Sequence, residues 1–96
     1  MSIPLDHPAP PPLDEATARA HAAELRALAA RHGITNLRFA SDGRLLGHLE
    51  ADRDDDDMAD FDLSVEALLD RSLFLISDRV LSKPRVSPDL LTATPL

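Results

Sequence analysis

Ninety-six residues with 44% apolar side chains suffice for one domain around one core, and a net charge of −7 argues against a nucleic-acid partner. The absence of cysteine excludes disulfides, thiolate metal sites and cysteine nucleophiles. No stretch approaches membrane-spanning length, and residues 1–12 lack the basic start and apolar run of a signal peptide, so no membrane association and a cytoplasmic location are expected. With three Phe and neither Trp nor Tyr, the core must be built mainly of Leu and Ala, and a partner or self-association would add to its stability.

Residues 1–13 hold five of the eight prolines and are expected to form an extended, disordered arm. A helix should follow, with Asp14 as N-cap, Leu13 as the staple residue, an apolar face of Ala18, Ala22, Leu25 and Leu28/Ala29, and Gly33 as its stop. Ile34 to Ala40 reads as a strand with Leu37 and Phe39 on one face. Asp42-Gly43 is a strong hairpin signal between LRFAS and RLLGHLE, although a short helix over 43–52 competes with it. From Met58 to Ser72 two periods compete: Met58, Phe61, Val65 and Leu68 suit a helix, whereas Phe61, Leu63, Val65 and Ala67 alternate like a strand. Helix propensity and the aspartates ahead of the segment favour the helix. Leu73 to Ile76 reads as a buried strand, which helix 58–72 would join to the second strand. The expected fold is α+β: a small mixed sheet of about three strands with two covering helices, in a single domain over 14–83 and a C-terminal tail over 84–96 in which Leu90 and Leu91 can dock.

The charge is concentrated. Between Glu50 and Asp62 the chain carries eight carboxylates and one arginine, and outside that run acids and bases balance. A calcium loop starting at Asp52 would have Asp54 and Asp56 in place, but position 6 is Asp57 instead of Gly and position 12 is Leu63 instead of Glu. The helical-hand pattern therefore fails where it matters most. Histidine gives no better metal site: His21 and His32 stand about 16 Å apart along one expected helix, His7 lies in the arm and His48 on a strand.

One set of residues carries a family pattern. His32-Gly33-Ile34, Leu37 and Phe39-Ala40-Ser41-Asp42-Gly43-Arg44 resemble the opening of the minimal nucleotidyltransferases, which run helix, His-Gly-Ile, strand, Phe-Gly-Ser-x-Ala-Arg-Gly and then Ser-Asp-x-Asp-Leu-x-Val. Ala59-Asp60-Phe61-Asp62-Leu63-Ser64-Val65 is similar to that later element, and ISDRVLSKPRV with ATPL resembles the family's ending. The resemblance implies a reduced nucleotidyltransferase-like fold. In an active member Ser41 would hold nucleotide phosphates, and Asp60 and Asp62 would hold the magnesium ions that clamp the triphosphate. Carboxylates at i and i+2 on a strand point the same way and can share metals. The chain departs from the pattern at Ala40 and Leu45, which replace glycines. Asp60 also stands nineteen residues after Ser41, while Asp52-x-Asp54 stands at a more usual eleven but has no apolar strand behind it.

Two functions follow, beside a blander third reading as a self-associating domain of unknown role. The favoured one is a non-enzymatic, acidic interaction module without cofactor, in the manner of the family's antitoxins, which commonly oppose a ribonuclease toxin of the HEPN class. Asp54, Asp55, Asp56 and Asp57 would then meet a basic protein surface, with Leu90 and Leu91 as apolar docking residues. The alternative is an active magnesium-dependent nucleotidyltransferase using Ser41, Asp60 and Asp62.

Overall fold

The computed structural model describes residues 10–96. Four helices and four strands follow one another as α1 (Glu15–Ala20), α2 (Ala22–Arg31), β1 (Ile34–Ser41), β2 (Arg44–Leu49), α3 (Asp55–Leu69), β3 (Phe74–Ser77), α4 (Pro88–Leu91) and β4 (Thr94–Pro95), with a short 3₁₀ turn over Asp78–Ser82. The expected arm over 1–13 is described only from Pro10 onward, and there it is docked. Leu13 is fully buried, its N–H donates to the Ser72 carbonyl at 2.9 Å, and its own carbonyl accepts from Gly43 N–H at 2.8 Å.

Asp14 caps α1 as its sequence position suggests, accepting from Thr17 N–H, and hydrogen bonding from Thr17 holds its carboxyl below the usual value. The single helix expected over 14–32 is in fact two. At His21 the backbone leaves helical geometry (φ −114°, ψ 22°), and the ring turns to Glu24, with Nδ1 2.7 Å from Oε1. Gly33 ends α2 at φ +70°, a left-handed conformation that a Cβ would strain.

The hairpin reading of Asp42-Gly43 is the one the chain adopts. Gly43 sits at φ +75°, and β1 pairs antiparallel with β2. A bulge at Asn36 (φ 52°) shifts the pleat by one residue, so Ile34 joins Leu37 and Phe39 on the core side. The helix reading of 58–72 holds as far as Leu69, where α3 ends: Asp70 turns left-handed (φ 55°) and Ser72 bridges to Pro12. α3 also starts earlier than expected, because the aspartates build its cap. Asp54 Oδ1 accepts from Asp56 N–H at 3.1 Å, and Asp57 Oδ2 accepts from Asp54 N–H at 3.2 Å. This helix is the crossover that lays β3 parallel to β2.

The sheet order is β3-β2-β1-β4, one strand more than expected. α2 packs on β1 and α3 on β3. Leu25 and Ala29 of α2, Phe61 and Val65 of α3, and the inward residues of β1, β2 and β3 close one core. The extra strand comes from the segment expected to be a tail. Thr94 and Pro95 pair with Phe39 and Arg38, and Leu96 N–H donates to the Leu37 carbonyl at 3.0 Å. Proline is tolerated there because β4 is an edge strand. Among the described residues no helix is long and apolar enough to cross a membrane.

Candidate functional site

The geometry that matters is at the tip of the β1–β2 hairpin. Two residues, Asp42 and Gly43, separate the strands, and both backbone groups of Gly43 are taken: its N–H donates to Leu13, and its carbonyl accepts from Phe74 N–H at 2.8 Å. The turn is thus clamped between the segment ahead of α1 and the first residue of β3. Ser41, the last residue of β1, donates its hydroxyl to Asp89 Oδ2 at 2.6 Å, and Arg44 Nε lies 3.4 Å from the same oxygen. Asp89 stands in the first turn of α4, so this cluster ties the C-terminal segment to the hairpin. Sequence reasoning did not find it, since nothing local relates Ser41 to a residue forty-eight positions away.

Beside the turn opens a cleft of about 640 Å³ lined by Asp42, Arg44, Asp62, Leu63, Glu66 and Phe74, among others. Phe74 and Leu63 are largely exposed at 74% and 64%. Asp62 leans inward. β3 is an edge strand, and the Leu75 N–H on its open side donates to Asp62 Oδ1 at 3.1 Å. Burial outweighs that hydrogen bond and pushes the Asp62 carboxyl from 3.8 up to about 6.

The three residues expected to converge in an active enzyme have three different surroundings. Ser41 is bound to Asp89, Asp62 reaches the β3 edge, and Asp60 is exposed. On a helix, residues two apart project about 200° from each other, so Asp60 and Asp62 do not present the parallel pair that a strand would. Among the described residues no group of three or more His, Asp or Glu side chains could hold a metal ion. Projecting to different sides of α3, Asp60 and Asp62 are not placed as the parallel carboxylate pair that the family pattern calls for. The histidines are as scattered as their spacing suggests. His48 meets Asp78 at 3.2 Å, His32 meets the Phe61 ring edge, and His7 lies outside the described residues.

The acidic run is divided in use. Asp54 and Asp57 serve the cap, with Arg53 Nη1 3.4 Å from Asp57 Oδ1, while Asp52, Asp55 and Asp56 are exposed. Of the two leucines expected to dock a partner, Leu91 is exposed at 64% but Leu90 is buried at 5%. Leu90 holds α4 to the domain and is not available to a partner.

No protein-family model matches the chain, and neither does any curated protein. A solved structure assigned as a minimal nucleotidyltransferase does: it is 32% identical, superposes with a TM-score of 0.70, and the match covers 88% of this chain and 97% of that one. The chain belongs to the minimal nucleotidyltransferase family. As a minimal nucleotidyltransferase it is reduced at the place that defines the family's pattern. Of the residues matched to Phe-Gly-Ser-x-Ala-Arg-Gly, Phe39, Ala40 and Ser41 end β1, Asp42 and Gly43 form a two-residue turn, and Arg44 opens β2. The strands read ITNLRFAS, RLLGHL, FLIS and TP, none with a carboxylate.

Proposed function

We propose that this chain is a non-enzymatic protein-interaction module: a minimal nucleotidyltransferase fold retained as an acidic, antitoxin-like binder of a basic protein. The two-residue turn between β1 and β2 carries this reading. A triphosphate needs a loop of backbone N–H groups to cradle it and convergent carboxylates to hold its metal. The clamped Asp42-Gly43 turn leaves no chain for the loop, and Asp60 and Asp62 diverge.

What remains is a surface with a strong sign. Glu50, Asp52, Asp55, Asp56 and Asp60 are all exposed around the start of α3, and Arg53 is turned toward Asp57. Such a patch steers a cationic partner to one end of the molecule and sets its orientation, with a smaller effect on final affinity. A basic ribonuclease of the HEPN class is the partner that the family resemblance suggests.

The test uses a purified basic HEPN-class ribonuclease as probe. Asp55→Asn with Asp56→Asn spares the two capping aspartates. It is expected to weaken association about tenfold and to flatten its salt dependence. Association that keeps its strength and its salt dependence in this variant would overturn the proposal.

A further inference from the structure

We propose that the outer groove between α2 and α3 is a two-fold interface at which two copies of this chain pack together. The groove is an open trough of about 860 Å³, with Ala27 and Leu28 on the α2 side, Ala67 and Leu68 on the α3 side, and Glu24 and Arg31 on its rim. These α2 residues stand at i, i+3, i+4 and i+7, one continuous stripe, and their arrangement indicates what covers them. An acid stands at the N-terminal end of the stripe and a base at the C-terminal end, about 10 Å apart along the axis. Two apolar residues, Ala27 and Leu28, lie between them.

A two-fold axis perpendicular to a helix reverses its direction in the second copy. With the axis over Ala27 and Leu28, Glu24 of each chain meets Arg31 of the other, and both ion pairs form at once. The stripe is thus complementary to itself, as an isologous contact requires. Alanine at 27 and 67 lets the second helix approach closely, and Leu28 and Leu68 supply the apolar area; Leu68 is 49% exposed in the single chain. Among the described residues Arg31 has no acidic partner in its own chain, whereas Glu24 meets only His21. The interface uses neither the acidic start of α3 nor the hairpin, so it stands apart from the proposed partner binding.

Sedimentation velocity of the full chain, from micromolar to near-millimolar concentration, tests it. The wild type is expected to dimerise. Glu24→Arg and Arg31→Glu should each raise the dissociation constant about tenfold or more by placing like charges opposite one another. An equimolar mixture of the two single variants should recover dimers, and so should the double variant E24R/R31E. Leu68→Glu should abolish dimers while leaving the helical circular dichroism intact, which separates loss of contact from loss of fold. A wild type that stays monomeric throughout, a dimer indifferent to the reversals, or a mixture that fails to recover would each overturn the interface.

Discussion

The start and the middle of α3 treat their aspartates in opposite ways. At the start, Asp57 accepts from Asp54 N–H, Asp54 accepts from Asp56 N–H, and their neighbours stand in water, so negative charge stabilises the helix end. Two turns on, Asp62 is half-buried, gives an oxygen to the edge of β3, and has its carboxyl raised to about 6 by burial. One helix therefore holds aspartates that favour the folded state by being charged and one whose charge opposes it. What separates them is hydration. A carboxylate count along the sequence does not distinguish the two.

The largest expected effect lies between the two regions, at Phe61. Its ring is fully buried and anchors the middle of α3 in the core, whereas the start is held by its cap and the Arg53–Asp57 ion pair. Phe61→Ala is expected to cost about 3–5 kcal/mol in denaturant unfolding; a loss near that of a surface change would mean that the middle of α3 is not anchored.

Asp62→Asn keeps an oxygen for Leu75 N–H and removes the charge. Because folding raises the Asp62 pKa from 3.8 to about 6, the folded state holds that proton more tightly than the unfolded one. The contribution of Asp62 to stability is complete below pH ~4, declines as pH rises to ~6, and is constant above that. Relative to the wild type the Asn variant should be level at pH 4 and more stable by about 1–2 kcal/mol at pH 7.5, after discounting for solvent reaching a half-exposed group. A variant equally stable relative to wild type at both pH values would remove the distinction between the two regions.

At the start of α3, Asp54→Ala removes the cap and should cost about 1 kcal/mol. Asp55→Asn and Asp56→Asn touch only the helix dipole and should each cost about 0.3–0.5 kcal/mol, shrinking with added salt. Thermal unfolding at low and high ionic strength ranks these changes; a salt-independent loss at Asp55 would show that it has an unseen partner.

Much of this fold was legible in the sequence because its signals are local. The Asp14 cap, the Gly33 stop, the Asp42-Gly43 turn and the helical propensity of 58–72 each need only a few neighbouring residues to be read. The C-terminal segment was misread for a related reason. Pro88 and Pro95 look like breakers, yet Pro88 occupies the first turn of α4, where its missing N–H costs nothing, and Pro95 lies on an edge strand. The candidate site was less legible. Asp60-Phe61-Asp62 matches a strand motif letter for letter, but which carboxylate turns inward depends on the helix and on the β3 edge thirteen residues later. The bond from Ser41 to Asp89 is likewise made by the fold and leaves no mark in local sequence.

The proposed non-enzymatic role requires that this nucleotidyltransferase fold bind no triphosphate. Isothermal titration of the full chain with a nucleoside triphosphate and excess magnesium addresses it directly. No saturable binding at millimolar nucleotide is predicted, because the β1–β2 turn offers no cradle. Saturable binding that Asp62→Asn abolishes would contradict the account and restore a catalytic reading of the cleft.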